Sequence, residues 1–206
     1  MAFRVGVLIS GEGTNLQALL DQVHGRDGIE VACVASSSAG ARGLERAAAA
    51  GVDSAVFAAA DHAERAERDA ALGDWLEAHG VDLVVLAGFM ELLGAPFIRR
   101  FDGRLINVHP SLLPAFPGVR AIEQALAYGV KVTGVTVHFV DEGVDTGPVV
   151  LQEAFELPYA RDVEEVERRM HEIEHLLLPR AVRLIATGAV SRDPSNPRLV
   201  RVDERA

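Results

Sequence analysis

Two short polar segments contain the residues of this sequence that are best suited to chemistry. Asn107 and His109 lie at the end of the apolar run 105–108, which predicts a buried strand that ends in a polar site. Near neutral pH an imidazole can give or take a proton, and an amide can donate a hydrogen bond to a developing oxyanion. Asp145 lies in the glycine-rich segment 141–148, and a carboxylate held beside His109 would stabilise its imidazolium. The set predicts proton transfer and oxyanion stabilisation, although an isolated Asn-x-His is more often a loop histidine with a capping asparagine.

A second candidate site is the segment Ser-Gly-Glu-Gly-Thr-Asn at residues 10–15, which separates a strand-like run from a helix-like run. Backbone N–H groups and the Thr14 hydroxyl at a helix amino terminus favour a phosphate. The dinucleotide fingerprint needs a small residue where Leu16 stands, and the Gly-Lys-Ser/Thr of nucleoside triphosphatases is absent. The segment therefore predicts a single phosphate on a small substrate and not NAD or ATP, with a tight turn capped by Thr14 as an equally supported alternative.

The apolar segment 85–93 ends a predicted strand and continues into a loop that contains Phe89, Met90, Leu92 and Leu93. Hydrophobic core is the simplest explanation, and a pocket wall for a flat heteroaromatic ring is the functional one. No cluster of His, Cys, Asp and Glu has the spacing of metal ligands, which disfavours a metal site. Ser111 follows His109 too closely for a Ser-His-Asp triad. These exclusions favour direct transfer between two bound substrates.

Composition and charge restrict the class of protein. A chain of 206 residues with 49% hydrophobic content can bury the core of a single domain. Its formal net charge of −10 disfavours nucleic acid or an anionic membrane as the main partner. Cys33 lies in an apolar run and is expected to be a core residue in a reducing compartment. The amino terminus enters a strand pattern without a leader-like segment, so we expect a cytoplasmic protein.

Alternating strand and helix patterns predict the elements that position these residues. Short apolar runs are followed by helix-forming segments through the first half, which favours a parallel sheet with helices on both faces. The expected strands are 3–9, 31–35, 55–57, 81–87 and 105–108, and the expected helices are 16–20, 41–50, 62–79 and 121–128.

The second half has a different pattern. Alternating Val and Thr in 131–140 predict a half-exposed strand that is antiparallel to 149–155, and His138 on this strand is expected to approach the site. Asp162 resembles the first residue of a capping box, and Pro179 is expected to kink or end the helix that follows. One face of that helix is predicted to carry Val163, Val166, Met170, Ile173 and Leu177. The tail is expected to add an edge strand at 199–202, and four histidines are expected on the surface: His24, His62, His79 and His171.

The motifs above resemble those of the phosphoribosylglycinamide formyltransferase family, folate-dependent enzymes of purine biosynthesis. The Asn-x-His motif is shared with other formyl-folate enzymes, whereas the Gly-Glu-Gly-Thr-Asn loop is more specific to this family. The matching segments are 8–19, 43–47, 85–90, 103–114, 116–118, 124–126, 134–140 and 145–148. The resemblance implies an α/β, Rossmann-like fold whose mostly parallel twisted sheet has about seven strands, with antiparallel strands in the second half. It implies one domain over 1–206, in which 1–100 binds the phosphate substrate and 101–206 carries catalysis and folate binding.

The resemblance also implies roles for individual residues. Catalysis is assigned to Asn107, His109 and Asp145, and substrate binding to Gly13, Thr14, Asn15 and Glu174. Folate binding is assigned to Arg65, Met90, Glu91, Leu92, Leu93, Ile98, Asn107, Asp141, Glu142 and Val144. Two positions depart from the family, because Arg120 stands where a histidine is usual and Glu91 where a basic residue is often found.

The implied reaction is transfer of the formyl group of the co-substrate 10-formyltetrahydrofolate to the amine of 5-phosphoribosylglycinamide. It uses small-molecule substrates, with no metal, NAD, nucleic acid or membrane, and it leaves a homodimer open. Methionyl-tRNA formyltransferase, one alternative, needs a tRNA-binding surface and usually has an extra carboxyl-terminal domain. Formyltetrahydrofolate hydrolase usually has an added amino-terminal domain. A non-catalytic sensor of a phosphate metabolite is the alternative from another class.

Overall fold

The structure is a computed structural model that describes residues 1–157 and 162–203. The chain forms two compact units, Met1–Asn107 and Val108–Ala206, and the boundary falls within a strand. A seven-stranded sheet has the order β3 (Asp53–Val56), β2 (Ile29–Ser36), β1 (Phe3–Ile9), β4 (Leu83–Leu86), β5 (Leu105–His109), β6 (Val132–Phe139) and β7 (Val149–Glu156). A separate two-stranded sheet pairs β8 (Val190–Asp193) with β9 (Asn196–Val202). Within the described residues no helix combines the length and the apolar character needed to cross a bilayer.

The first unit alternates strands and helices, as the sequence predicts. The strands β1, β4 and β5 are short runs rich in Val, Leu and Ile that are mostly buried, which is typical of a parallel sheet covered on both faces, whereas the edge strand β3 is largely exposed. β1 pairs in parallel with β2 and β4, and β4 pairs in parallel with β5. The elements are β1 (Phe3–Ile9), α1 (Thr14–Gln22), β2 (Ile29–Ser36), α2 (Gly43–Ala49), β3 (Asp53–Val56), α3 (Arg65–Ala78), β4 (Leu83–Leu86), α4 (Ala95–Arg100) and β5 (Leu105–His109).

The second unit contains the antiparallel pair that the sequence predicts, but the expectation of a half-exposed strand at 131–140 is wrong, because all residues of β6 except Val132 are buried. β6 and β7 pair along their whole lengths with one irregularity, between Val137 and His138. The longest helix, α6 (Val163–Ala186), packs on both strands with an apolar face. The elements are α5 (Ala121–Tyr128), β6 (Val132–Phe139), β7 (Val149–Glu156), α6 (Val163–Ala186), β8 (Val190–Asp193) and β9 (Asn196–Val202).

Several expectations about local structure are wrong, for identifiable reasons. Residues 199–202 do not form an edge strand of the large sheet, because they pair with β8 in a separate hairpin. Pro179 does not end α6, since the buried apolar face continues through Ala181 and Val182 and retains the helix despite the missing N–H. Val163 is exposed at the amino terminus of α6 and does not belong to the buried face. The sequence analysis also missed α4, a six-residue helix with Pro96 in its first turn.

Candidate active site

Strand β5 delivers Asn107 and His109 to one face of the sheet. Residues two apart on a strand point to the same side, so the amide and the imidazole are neighbours. Leu105, Ile106 and Val108 are buried around them, and Leu86 of β4 is the partner of Asn107 in the ladder. The apolar run therefore anchors a strand whose end carries two polar side chains.

The His109 ring lies between two oxygen atoms that can only accept hydrogen bonds. Its Nε2 is 2.9 Å from the carbonyl oxygen of Phe116, and its Nδ1 is 3.4 Å from Oδ2 of Asp145. A carbonyl cannot donate, so Nε2 carries a proton. The pairing of His109 with Asp145, expected from the sequence, is present in the structure.

Asp145 is held in a left-handed backbone conformation, with φ of 51°, and its side chain is 15% exposed. Its Oδ2 also accepts a hydrogen bond of 2.7 Å from the Gly118 N–H. Burial by itself raises the pKa of this carboxyl, but the hydrogen bond with His138, the Gly118 N–H and the charge of His109 together outweigh burial. The net effect lowers the pKa of Asp145 to about 2. The group is therefore an anion at neutral pH.

His138 is a second partner of Asp145, and the sequence analysis expected only that it approaches the site. Its Nε2 lies 3.6 Å from Oδ1 of Asp145, and its Nδ1 lies 2.8 Å from the Phe139 carbonyl oxygen. The side chain is 2% exposed. His138 therefore contacts the carboxylate of Asp145 with one ring nitrogen and a backbone carbonyl with the other. The signal in the sequence was its alternation with Thr136 on the strand that leads into the Asp145 segment.

The segment that carries Asp145, residues 141–148, is called the aspartate loop. Oδ1 of Asp141 accepts hydrogen bonds from the Gly143 N–H at 3.1 Å and from the Thr146 hydroxyl at 2.6 Å. A Cβ at Gly147 would lie 1.7 Å from the Phe139 carbonyl oxygen, so only glycine fits there. Arg198 of β9 donates to the Thr146 carbonyl at 2.8 Å. These contacts fix the loop, while Glu142 and Val144 are exposed on its surface.

The chain after β5 is tied to the β6–β7 pair. The Thr136 hydroxyl donates to the Ser111 carbonyl at 2.7 Å and accepts from the Leu113 N–H at 3.1 Å. Gln152 donates to the Leu113 carbonyl at 2.9 Å. The Ser111 hydroxyl donates to the Ala115 carbonyl at 2.6 Å, which is a structural role and agrees with the rejection of Ser111 as a nucleophile.

Residues 10–15, called the glycine loop, join β1 to α1. Gly13 caps the helix with φ of 69°, so the alternative in which Thr14 caps it is wrong. A Cβ on Gly13 would lie 2.6 Å from Cα of Gly43, the first residue of α2. Arg46 of α2 donates to the Glu12 carbonyl at 2.8 Å. Thr14 and Asn15 form the first turn of α1, where backbone N–H groups and the helix dipole favour an anion.

Residues 87–94, called the β4–α4 loop, expose apolar side chains. Met90 is 75% exposed and Leu92 is 64% exposed. Leu93 is partly buried, and Ile98, which follows in α4, is buried. The Met90 N–H donates to the Ser10 hydroxyl at 2.8 Å. The exposed part of this segment is therefore not hydrophobic core, and the pocket-wall interpretation stays a prediction.

The remaining assigned residues occupy varied environments. Glu174 is buried in α6, and Arg65 is exposed at the start of α3. Arg120, at a position where the family usually has histidine, is exposed and has a φ of 61°. Its Nε lies 3.6 Å from Oε1 of Glu123. Cys33 is a core residue, as expected, and burial raises the pKa of its thiol to about 12, so the thiol is unreactive at neutral pH. Among the described residues no group of three or more His, Cys, Asp or Glu side chains is arranged to bind a metal ion.

Sequence reasoning missed one buried cation. Charged residues on a charge-rich helix usually lie on its solvated face, yet the side chain of Arg68 of α3 is 2% exposed. The available signal was helical spacing, because Arg68, Leu72 and Leu76 lie four residues apart on one face and all three are buried.

The sequence matches that of known proteins over most of its length. The family model for formyl transferases matches residues 3–182. Phosphoribosylglycinamide formyltransferase of Haemophilus influenzae is 42% identical over 186 residues, which cover 90% of this chain and 88% of that protein. The trifunctional purine biosynthetic protein adenosine-3 of Drosophila pseudoobscura pseudoobscura is 47% identical over 192 residues, which cover 92% of this chain but 14% of that protein. The chain thus spans only a small part of the length of its trifunctional relatives.

The fold has a close match among solved structures. The crystal structure of glycinamide ribonucleotide transformylase 1 from Symbiobacterium toebii superposes with a TM-score of 0.93 and 50% sequence identity. The superposition covers 98% of this chain and 94% of that one. The predicted mostly parallel α/β sheet of seven strands is confirmed. Because the family model and the fold both extend over nearly the whole sequence, the chain belongs to the formyl transferase family.

Proposed function

We propose that this protein transfers the formyl group of 10-formyltetrahydrofolate to the amine of 5-phosphoribosylglycinamide, a step of de novo purine biosynthesis. The observation that carries the proposal is the His109 ring held between the Phe116 carbonyl and the Asp145 carboxylate, at the end of a strand that also presents Asn107. Two relatives support the choice of acceptor, since they are named phosphoribosylglycinamide formyltransferase and match at 42% and 38% identity.

In the proposed reaction, His109 and Asn107 stabilise negative charge. The substrate amine attacks the formyl carbon, and the carbonyl oxygen becomes an oxyanion that accepts hydrogen bonds from the Asn107 amide and the His109 Nε2–H. That N–H contacts the Phe116 carbonyl before reaction. A charged oxygen is a stronger acceptor than a neutral carbonyl, so the developing oxyanion competes with the Phe116 carbonyl for this N–H. Before the reaction, the carbonyl fixes the orientation of the ring.

Asp145 keeps the imidazolium available and assists the proton movement. Its pKa of about 2 means that it remains anionic at any pH at which the substrate amine is a nucleophile. As the new C–N bond forms and the bond to the folate nitrogen breaks, the amine loses a proton and the departing nitrogen gains one. We assign this transfer to Asp145, acting through an ordered water, with His138 holding the carboxylate from its other oxygen.

Substrate binding follows the roles assigned by resemblance. Gly13, Thr14 and Asn15 are suited to the phosphate because they combine a helix amino terminus with a tight backbone turn. Glu174 is proposed to bind the glycinamide portion. Holding both reactants on one protein replaces an encounter of two dilute molecules and lowers the barrier by several kcal/mol.

The residues assigned to the folate fit a flat, largely apolar ring. Met90, Leu92 and Val144 are apolar and exposed, so their side chains are accessible to a ligand. Little of Ile98 is accessible, so its contribution is packing beneath the loop. Further assigned contacts are Arg65, Glu91, Leu93, Asn107, Asp141 and Glu142. The donor supplies the activated formyl group, and these residues orient it.

A spectrophotometric assay tests the proposal. The protein is mixed with 5-phosphoribosylglycinamide and 10-formyltetrahydrofolate, and deformylated folate is expected only when both are present. Deformylation without the ribonucleotide indicates a hydrolase, and formylation of methionyl-tRNA indicates the tRNA enzyme. Ribonucleotide binding without any deformylation indicates a sensor. Each of these three results contradicts the proposal.

The proposal also places the reaction in the cytoplasm. Whether the protein forms a homodimer is to be tested by light scattering.

A further inference from the structure

Arg68 is a buried cation that the proposed mechanism does not use. Its guanidinium lies within hydrogen-bonding distance of three acceptors. Nη2 donates to Asp69 Oδ1 at 2.8 Å and to the Leu92 carbonyl at 2.8 Å, while Nη1 donates to Glu91 Oε2 at 2.9 Å. Two of the three acceptors belong to the β4–α4 loop. The side chain of Arg68 therefore connects α3 to that loop from the buried side.

Asp69 extends the same connection by one more contact. Its Oδ2 accepts a hydrogen bond of 2.7 Å from the Gly94 N–H, while its Oδ1 binds Arg68. The Arg68–Asp69 pair thus contacts a carboxylate, a carbonyl and an amide in the four residues 91–94. Desolvation offsets much of the attraction within a buried pair of this kind, so its net contribution to the stability of the fold is limited.

The loop presents opposite chemistry on its two sides. The polar atoms at 91, 92 and 94 face the Arg68–Asp69 pair, whereas the side chains of Met90 and Leu92 are largely exposed. A loop that is ordered before a ligand arrives does not lose conformational entropy on binding, which raises affinity. Glu91 directs its carboxylate to Arg68, which explains how the loop accommodates an acid where the family often has a base.

We propose that Arg68 is a positioning residue that fixes the β4–α4 loop in the conformation that receives the folate ring, with Glu91 as part of this framework. The inference rests on the proposed function, because it takes the loop as the folate-binding segment. Arg68 acts through the loop backbone, so its loss affects the folate and leaves the ribonucleotide and the chemical step largely unaffected.

The first test compares Arg68→Lys with the wild-type protein. Lysine keeps the positive charge beside Asp69, but a single ammonium cannot reproduce the planar fork that reaches three acceptors. We expect KM for 10-formyltetrahydrofolate to rise about fivefold or more, with kcat and KM for the ribonucleotide within about twofold. Affinity for tetrahydrofolate, measured by titration calorimetry, is expected to fall by the same factor.

A second measurement needs no ligand and no turnover. The Gly94 amide is bonded to Asp69, so Arg68→Lys is expected to accelerate its hydrogen exchange about tenfold or more, while amides in β1 remain protected. Glu91→Gln is expected to raise the KM for the folate less than Arg68→Lys does. The double variant Arg68→Lys, Glu91→Gln is expected to have the same folate KM as Arg68→Lys alone, because the two residues act through one contact.

Arg100→Met is the control, since Arg100 of α4 also pairs with α3, through Asp74 and Glu77, but among the described residues it forms no hydrogen bond or ion pair with residues 87–94. It is expected to leave folate KM unchanged. A folate KM and tetrahydrofolate affinity at wild-type values in Arg68→Lys overturn the inference. Equal losses for both substrates, or the same loss in Arg100→Met, overturn it as well. A wild-type protein that transfers no formyl group contradicts the proposed function instead.

Discussion

The glycine loop and the aspartate loop both follow strands, and both need glycine at a close backbone approach, yet they present different chemistry. In the glycine loop the close approach joins Gly13 to Gly43, and the groups offered to a ligand are backbone N–H groups. In the aspartate loop the close approach joins Gly147 to the Phe139 carbonyl, and the group offered is a partly buried carboxylate with two histidine partners. From this difference we infer that the proposed phosphate site depends on backbone shape and the proposed catalytic site on charge.

The largest expected effect comes from removing the charge of the aspartate loop without changing its shape. Asp145→Asn keeps the size of the side chain but loses the anion that faces His109 and His138. We expect kcat to fall about 10²–10⁴-fold, with KM for the ribonucleotide within about twofold. Steady-state kinetics with both substrates provide the measurement.

Asp82→Asn is the control for this substitution. Asp82 also accepts a hydrogen bond from a backbone amide, that of Arg4 at 2.8 Å, but it faces no histidine in the described contacts. Its kcat is expected to match the wild type. Undiminished turnover in Asp145→Asn would falsify the assignment of Asp145, and an equal loss in both variants would mean that the effect is structural.

The next largest effect comes from changing the shape of the glycine loop without changing its charge. Gly13→Ala places a Cβ 2.6 Å from Cα of Gly43 at a φ of 69°. The strain displaces the backbone N–H groups, so we expect kcat/KM for the ribonucleotide to fall about 10–100-fold. KM for the folate is expected to stay within about twofold.

Gly25→Ala separates the effect of a positive φ from the effect of the close contact with Gly43. Gly25 also has a φ of 69°, but a Cβ there meets no atom within 4 Å. This variant is expected to lose about 1–2 kcal/mol of stability and to keep the ribonucleotide KM. If Gly25→Ala weakens ribonucleotide binding as much as Gly13→Ala does, the contact with Gly43 is not the cause.

The charge of the aspartate loop also predicts a dependence of stability on pH. The pKa of Asp145 is lowered from 3.8 to about 2 in the folded chain, so this group stabilises the fold above its ordinary pKa. That contribution is lost as the pH falls from about 4 to about 2. Allowing for solvent screening, we expect the wild type to lose on the order of 1 kcal/mol more than Asp145→Asn over this range.

Urea unfolding at a series of pH values measures this difference. Other acids with lowered pKa values, such as Asp193, are present in both proteins, so their contribution cancels in the comparison. Parallel stability curves for the two proteins below pH 4 would show that the histidine pair does not stabilise the carboxylate.

The sequence predicts secondary structure better than contacts between distant residues, because strand and helix patterns depend on neighbouring residues. Strand and helix alternation predicts the sheet, and the segments around Asn107, His109 and Asp145 predict an ion pair between residues 36 positions apart. The contact of His109 with the Phe116 carbonyl was not predictable, because it depends on a positive φ at a phenylalanine, which sequence patterns do not favour.

Burial of charge was also missed, for a physical reason. A charged residue on a helix is usually solvated, so Arg68 was not distinguished from exposed Arg65 on the same helix. The two differ because Arg68 falls on the face of Leu72 and has acceptors 23 and 24 residues away in the β4–α4 loop. Such partners are known only when the loop conformation is known. The separate β8–β9 hairpin was missed in the same way, since a short terminal strand gives no indication of its partner.

The smallest expected effect concerns the support of the glycine loop. Arg46 donates to the Glu12 carbonyl at 2.8 Å and to Gln17 at 3.0 Å, so it holds the loop by its backbone. Arg42 binds the same residue, but through the exposed Glu12 carboxylate at 3.0 Å. An exposed ion pair contributes little at moderate salt, whereas a lost backbone contact frees the loop.

We therefore expect Arg46→Met to raise ribonucleotide KM about threefold and Arg42→Met to raise it less than twofold, with kcat unchanged in both. Because both variants remove one positive charge near the same loop, equal KM values measured at 0.15 M salt would mean that long-range charge, and not backbone shape, controls phosphate binding.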